Sequence, residues 1–301
     1  MGGRLKGLTI AVVGGDEREQ EIARLAALDG ACVRGYGFPW PDGGVAGVDL
    51  AASAPEAVEG VDYALFPIPG LGQDGRLYAP SSSAPIVPDV SLLSRMGPGA
   101  AIIMGTADDQ LRTCAATSGH TIVEYESDTE LMLLRAPAIV EGAIGIAISN
   151  TPITLHDASV GVVGHGNIGR LLARKLVAMS VHVHVFARNP VQRADAYAAG
   201  CAAHPLEELS AMAATINMLF STVSAPVVDR SILANLVRGS LVMDLAAPPG
   251  SVDLAAANEL GHRAIWARGL GRRAPVTVGR SQWSGIIRRI IELEEKRTNE
   301  G

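Results

Sequence analysis

Gly164, Gly166 and Gly169 stand in the spacing Gly-x-Gly-x-x-Gly within "VGVVGHGNIGRLLARKL", directly after a β-branched apolar run and at the head of an amphipathic one. In that setting the three glycines have separate tasks: a tight turn, close backbone approach to a pyrophosphate, and close packing of helix on strand. The first N–H groups of the helix, those of Asn167 and Ile168 among them, lack intrahelical partners and suit an anion. A dinucleotide site is expected, with a ligand-free glycine turn as the plain alternative.

Arg188 lies 19 residues beyond Gly169, in "HVFARNP", where an NAD site carries an acidic residue for the ribose diol. A carboxylate there accepts from hydroxyls and repels a 2′-phosphate; a guanidinium does the reverse. NADP is therefore the expected cofactor, with Asn189 beside Arg188 as a further contact. The alternative is a solvated strand end that accepts NAD as well. The first-half turn "VVGGDEREQ" lacks the full fingerprint. There Gly15 serves a strand-to-helix turn, Asp16 caps the helix, and Gly15, Asp16 and Arg18 are expected to hold an anionic substrate.

Three residues are candidates for proton transfer. His156 and Glu141 flank the connector between the two halves, and Asp244 ends the strand-like "SLVMD", at the edge where parallel sheets bind ligands. Each has a structural alternative: a hydrogen bond within the connector for His156, a place in the first helical turn for Glu141, and turn capping for Asp244. For carboxylate recognition, Arg272 and Arg273 in "GLGRRAP" are the best placed of the arginines, because glycines let that backbone approach a ligand.

These residues need a scaffold of alternating strands and helices. "LTIAVVGGDEREQEIARLAALDG" and "ASVGVVGHGNIGRLLARKLVAMS" both run strand, turn, helix, and each precedes another strand, "ACVRGYGF" and "VHVHVFAR". Further buried strands are expected at "DYALFPI", "AAIIMG" and "TIVEY", then at "INMLFSTV", "SLVMDLA" and "RAIWARG". The pattern implies an α/β protein of two Rossmann-like domains with parallel sheets and right-handed crossovers. A substrate domain is expected over residues 1–136 and 280–301, with a linking helix opened by Pro137 and a nucleotide-binding domain over 137–279. The amphipathic "SQWSGIIRRIIELEEKRTNEG" is the helix expected to return to the first domain.

Composition narrows the function classes. With 301 residues, 48% hydrophobic and 19% charged, the chain has enough apolar material for two cores. A net charge of -6 argues against a nucleic-acid surface. Three scattered cysteines make neither a metal quartet nor a disulfide framework, and fit free thiols in a reducing cytoplasm. No metal ligand spacing or hydrolytic triad stands out. "MGGRLKG" runs straight into a strand, so no secretory signal is expected, and Arg135, Pro137 and Glu141 interrupt the longest apolar run, so no membrane span is expected.

With "GGDER", "EGAIGIAISNTPITLHDASVGVVGHGNIGR", "DLAAPPGSVD" and "GLGRRAPVTVG" in this order, the chain resembles the A subunits of dipicolinate synthase over most of its length. The resemblance implies a fold like formate and glycerate dehydrogenases. It implies oxidation of dihydrodipicolinate, or its hydroxytetrahydro precursor, to dipicolinate in the mother cell of a spore-forming bacterium. Implied partners are a flavoprotein-like B subunit, a small dicarboxylate substrate, and further copies of the chain in a homo-oligomer. The chain departs from the family at "AIVEG", which keeps Glu141 and Gly142 but not the Pro-Thr pair. It departs again at "STVS", where Thr222 and Val223 take the place of an Asn-Thr-x-Pro that borders the cofactor. Other dehydrogenases of small 2-hydroxy or amino acids, and a non-catalytic NADP-binding protein, are the alternatives.

Overall fold

A computed structural model describes residues 3–300. The chain divides into two compact units, one built from the residues up to Arg135 together with those from Ala274, the other from Ala136–Arg273. The first contains six parallel strands: β1 (Thr9–Val13), β2 (Cys32–Tyr36), β3 (Val48–Leu50), β4 (Tyr63–Leu65), β5 (Ala101–Met104) and β6 (Thr121–Glu124), in the order β3-β2-β1-β4-β5-β6. The second contains β7 (Ser159–Val163), β8 (His182–Phe186), β9 (Ala202–His204), β10 (Met218–Ser221), β11 (Leu241–Asp244) and β12 (Arg263–Trp266), in the order β12-β11-β10-β7-β8-β9. All five pairings of this second sheet are parallel. Each sheet reverses its strand order once, between β1 and β4 and between β7 and β10, and ligands of open α/β sheets bind beyond the carboxyl ends of the strands at such points.

The central strands are almost continuous apolar runs because helices cover both faces. Ile10 and Val12 face one core of the first unit while Ala11 and Val13 face the other; Val160 and Val162 divide from Val163 in the same way in the second. The strands expected from the sequence all form. β3 and β9 were not among them: both are three-residue edge strands, too short for a periodic signal.

Two helix boundaries differ from expectation. The connecting helix is Thr129–Asn150, so Pro137 lies inside it rather than opening it. Pro137 has no N–H for the Leu133 carbonyl, and the helix continues through it with Leu133 and Leu134 on its exposed face. The last helix is Pro275–Glu300 and starts before residue 280, with a proline at its first position. By length and composition Thr129–Asn150 is apolar enough to cross a membrane. Its apolar side chains are spent elsewhere: Leu131 joins one core of the first unit, and Val140, Ala143 and Ala147 join a core of the second.

Within the first unit, the last helix packs along the helix Glu17–Leu28. Gly279 allows this, since a Cβ there would lie 2.8 Å from the Arg18 carbonyl oxygen. Trp283 Nε1 donates to Asp29 Oδ2 at 2.8 Å and the Tyr63 hydroxyl donates to Glu294 at 2.6 Å. The C-terminal helix is thereby tied to the turn after Glu17–Leu28 and to β4, so the two distant chain segments share one core.

Candidate functional site

The glycine turn follows β7 and opens the helix Asn167–Ala178. Gly164 has φ +90°, a conformation that side chains rarely adopt, and a Cβ there would sit 2.7 Å from Thr222 Oγ1. Gly169 lies so close to the Gly164 carbonyl that any side chain would part helix from strand. Gly166 differs: a Cβ would meet nothing within 4 Å. It caps the helix without a side-chain hydrogen bond, so the donors of the first turn face open space suited to an anion. A cavity of about 350 Å³ runs from this turn to Arg188 and Asn189, with Thr222 and Val223 on its wall. Thr222 is fixed there by donating through both its N–H and its hydroxyl to the Val163 carbonyl, at 2.9 and 3.0 Å. The two glycines a side chain would obstruct and the one that opens on empty space are what a bound pyrophosphate requires, so the turn fits a dinucleotide.

Arg188 is exposed just past the end of β8, and its guanidinium has no hydrogen-bond or ion-pair partner among the described residues. Asn189 caps the helix Pro190–Ala198, its Oδ1 accepting from the Val191 N–H at 2.8 Å. Arg193, one turn into that helix, donates through Nη1 to the carbonyls of Ala187 and Arg188 at 2.9 and 2.7 Å and fixes the strand end. One residue of this cavity escaped the sequence reading. His165, the variable position between the first two glycines, is buried, and its Nε2 lies 2.9 Å from Asp195 Oδ2.

The expected catalytic groups separate. Asp244 is 1% exposed and both its oxygens are occupied: Oδ1 accepts from the Ala246 N–H at 2.9 Å, and Oδ2 accepts from the N–H groups of Ser251 and Val252 at 2.6 and 3.1 Å. It folds the loop 245–252 back on the strand end, the capping place given above as its structural alternative. His156 lies apart from the glycine turn. It is largely exposed beside Asp157 and precedes the first residue of β7, at the amino edge of the sheet, whereas the glycine turn follows the last. Five residues of strand, roughly 16 Å, separate the two.

Glu141 is on the ligand-binding side. The connecting helix runs against the strands: Asn150 at its end accepts from Arg263 at the start of β12, while Gly142 packs on Leu270 beyond that strand's end. Glu141 is therefore not in a first turn but eight residues or more from either helix end, paired with Arg273 Nη2 at 2.7 Å. Arg273 and Arg272 lie in the short helical turn Leu270–Arg273, not in an open glycine loop.

In the first unit the turn after β1 concentrates buried charge. Gly15 has φ +102° and its N–H donates to the Tyr78 carbonyl at 2.6 Å. Asp16 caps the helix Glu17–Leu28 and is fully buried, and Arg18 grips it with Nε and Nη2, both at 2.8 Å. Glu19 closes the capping box by accepting from the Asp16 N–H at 2.8 Å, and accepts from the Ile68 N–H at 2.9 Å. Nearby on the same sheet edge, Glu126 follows β6 and pairs with Arg135, Nη1 to Oε2 at 2.9 Å. Among the described residues no group of three or more His, Cys, Asp or Glu has the geometry to hold a metal ion.

Residues 9–126 match the N-terminal domain of the dipicolinate synthase A subunit, and residues 145–246 match the NAD-binding domain of D-isomer specific 2-hydroxyacid dehydrogenases. The chain is 27% identical over 291 residues to the dipicolinate synthase A subunit of Bacillus subtilis (strain 168), covering 96% of this chain and 98% of that one. The chain is thus similar to dipicolinate synthase A subunits over nearly its whole length. The crystal structure of the Bacillus halodurans family member superposes with a TM-score of 0.87 at 27% identity, over 96% of this chain and 99% of that one. The Bacillus subtilis structure gives 0.86 at 26% identity, over 98% of this chain and all of that one. Like the dehydrogenases whose nucleotide domain it shares, the chain is an NAD(P)-dependent dehydrogenase.

The capping box at Asp16 and Glu19 has a consequence for stability. Burial pushes the Glu19 carboxyl up to about 7, against the pull of the Arg18 guanidinium and of the two N–H groups it accepts from. Between pH 4.5, its ordinary value, and about pH 7 the folded chain keeps a proton that the unfolded chain has released. Its contribution is therefore full below that window and declines as pH rises through it. The difference in unfolding free energy between the parent and Glu19→Gln is expected to shrink across this window, measured by denaturant melts at each pH; a pH-independent difference contradicts the assignment.

Proposed function

We propose that the chain oxidises dihydrodipicolinate, or its hydroxytetrahydro precursor after loss of water, to dipicolinate, with NADP as cofactor. One observation carries the reading of the substrate: the likeness to the dipicolinate synthase A subunit extends over both units, and so includes the one that does not carry the glycine turn. The cofactor follows from Arg188, a guanidinium without a partner among the described residues where an NAD site presents a carboxylate. NADP when bound supplies the hydride acceptor.

The rest is work for the chain's own residues. Gly164, Gly166 and Gly169 let the backbone reach the pyrophosphate, and the N–H groups of Asn167, Ile168 and Gly169 neutralise it. Arg188 takes the 2′-phosphate, with Asn189 beside it, and Thr222 and Val223 wall the site. In the other unit, Gly15 opens the turn, Asp16 fixes the Arg18 guanidinium by two of its nitrogens, and Nη1 of Arg18 is presented to a substrate carboxylate. Arg272 and Arg273 supply further positive charge. Glu141, held by Arg273, is the proton acceptor: aromatisation removes a hydride and one proton from the ring, and the proton goes to its carboxylate. The partner is a flavoprotein-like B subunit, and sporulation is the setting.

The match of residues 145–246 favours a second reading, a 2-hydroxy acid as substrate. A panel of freshly generated dihydrodipicolinate, small 2-hydroxy acids and alanine, each with NADP and with NAD, decides between them when scored by nicotinamide absorbance with and without the flavoprotein-like partner. Reduction with the dihydropyridine alone supports the proposal; reduction with a hydroxy acid alone transfers it to the second reading.

A further inference from the structure

His165 occupies the position between the first two cofactor glycines, and its side chain is 1% exposed. It does not point to solvent or to an apolar core partner alone. Its Nε2 meets Asp195 Oδ2 at 2.9 Å, on the helix Pro190–Ala198, and Asp195 Oδ1 accepts from Arg174 of the helix Asn167–Ala178 at 3.3 Å. The Asp195 carboxyl is held below its ordinary range, first by the His165 hydrogen bond. The glycine turn, the helix it opens and the helix that begins at Asn189 are thus tied together by one carboxylate.

The tie joins two segments that a dinucleotide addresses at once. β7 and β8 are register partners up to Val163 and Phe186, but the residues proposed to bind charge lie beyond both strand ends, where the ladder no longer sets their separation. On one side are the N–H groups after Gly166, for the pyrophosphate. On the other is Arg188, whose backbone is held by Arg193 from the helix that carries Asp195. In NADP the 2′-phosphate and the pyrophosphate are a fixed distance apart. A forked guanidinium–phosphate contact depends steeply on placement, whereas the ribose hydroxyl of NAD makes weaker neutral contacts that tolerate displacement.

We propose that His165, through Asp195, is a positioning residue that sets the spacing between the pyrophosphate-binding turn and Arg188, and so contributes to preference for the 2′-phosphorylated cofactor. The proposal rests on the reading of Arg188 as the 2′-phosphate ligand. His165 touches neither reacting atom; it acts through the two loops it joins.

The test compares NADP and NAD in three variants of the full chain. His165→Leu keeps the apolar volume and removes the hydrogen bond, Asp195→Ala removes the acceptor from a part-exposed position, and His165→Gln restores an N–H donor. The first two are each expected to lower the ratio of NADP to NAD affinity about tenfold, the weight of one charge-assisted hydrogen bond. The loss appears in KM for NADP, with kcat at saturating NADP within about twofold, and His165→Gln recovers most of the ratio. Equal loss for both cofactors, or an unchanged ratio in folded protein, overturns the proposal. Should His165→Leu not fold, Asp195→Ala decides alone. Arg188→Asp measured alongside separates the two failures. If it shifts the ratio and the His165 and Asp195 variants do not, only the positioning role falls; if it leaves the ratio unchanged, the cofactor reading falls and this inference with it.

Discussion

Arg188→Asp is expected to weaken NADP binding by about a hundredfold or more while leaving NAD binding unchanged or improved. Two effects act in one direction. The substitution removes a forked, charge-assisted contact to a phosphate, about 1.5–3 kcal/mol, and sets a carboxylate against the same phosphate, a repulsion of similar order near a surface. For NAD the new carboxylate accepts from the ribose diol, as in the common acidic form of the site. Arg188 is exposed and its guanidinium has no intramolecular partner among the described residues, so the change should leave stability within about 0.5 kcal/mol. Nucleotide titrations followed by protein fluorescence check the result; a parallel loss for both cofactors would remove the phosphate-binding role.

The second large effect concerns Arg18. Its Nε and Nη2 both engage Asp16, which has no exposed surface, so Arg18→Leu strips a forked counter-charge from a buried carboxylate. Breaking a buried pair from one side costs about 3–5 kcal/mol, and that loss is expected in chemical denaturation. A double variant, Asp16→Ser with Arg18→Leu, is expected to regain more than half of it, because serine still caps Glu17–Leu28 and no charge is stranded. NADP binding by the folded fraction stays at the parent level, since the glycine turn and Arg188 belong to the other unit, while KM for the substrate rises. A small destabilisation by the single variant, equal to that of the double, would show that the pair is screened and not buried in effect.

The parts of this molecule that were legible in its sequence are those with a local physical cause. The two strand-turn-helix openings announced themselves by period and glycine, and the Asp16 cap by its place before an amphipathic run. What failed to show was decided by distant chain. Asp244 looked like a catalytic carboxylate at a ligand-binding edge; only the return of residues 251 and 252 onto it shows that its oxygens are already used. His165 stood at a variable position of a motif and revealed nothing until helix Pro190–Ala198 brought Asp195 against it. Pro137 points to a helix start because proline favours the first position, whereas here the helix begins eight residues earlier and runs through it. For His156 the order along the chain is informative by itself: it lies before the strand whose far end carries the glycines.

Each unit carries its own charged groups for the proposed chemistry. The nucleotide unit holds the donors of the glycine turn, Arg188 and the Glu141–Arg273 pair, and the other unit holds a guanidinium fixed at Arg18. The most direct measurement is the yield of pyridine-2,6-dicarboxylate per NADPH formed, by mass spectrometry and nicotinamide absorbance together, when the purified chain receives freshly generated dihydrodipicolinate and NADP with the flavoprotein-like partner present. One dicarboxylate per NADPH, at a rate well above that without the chain, is the result expected. Dicarboxylate appearing only at the uncatalysed rate, with NADP left oxidised, would contradict it.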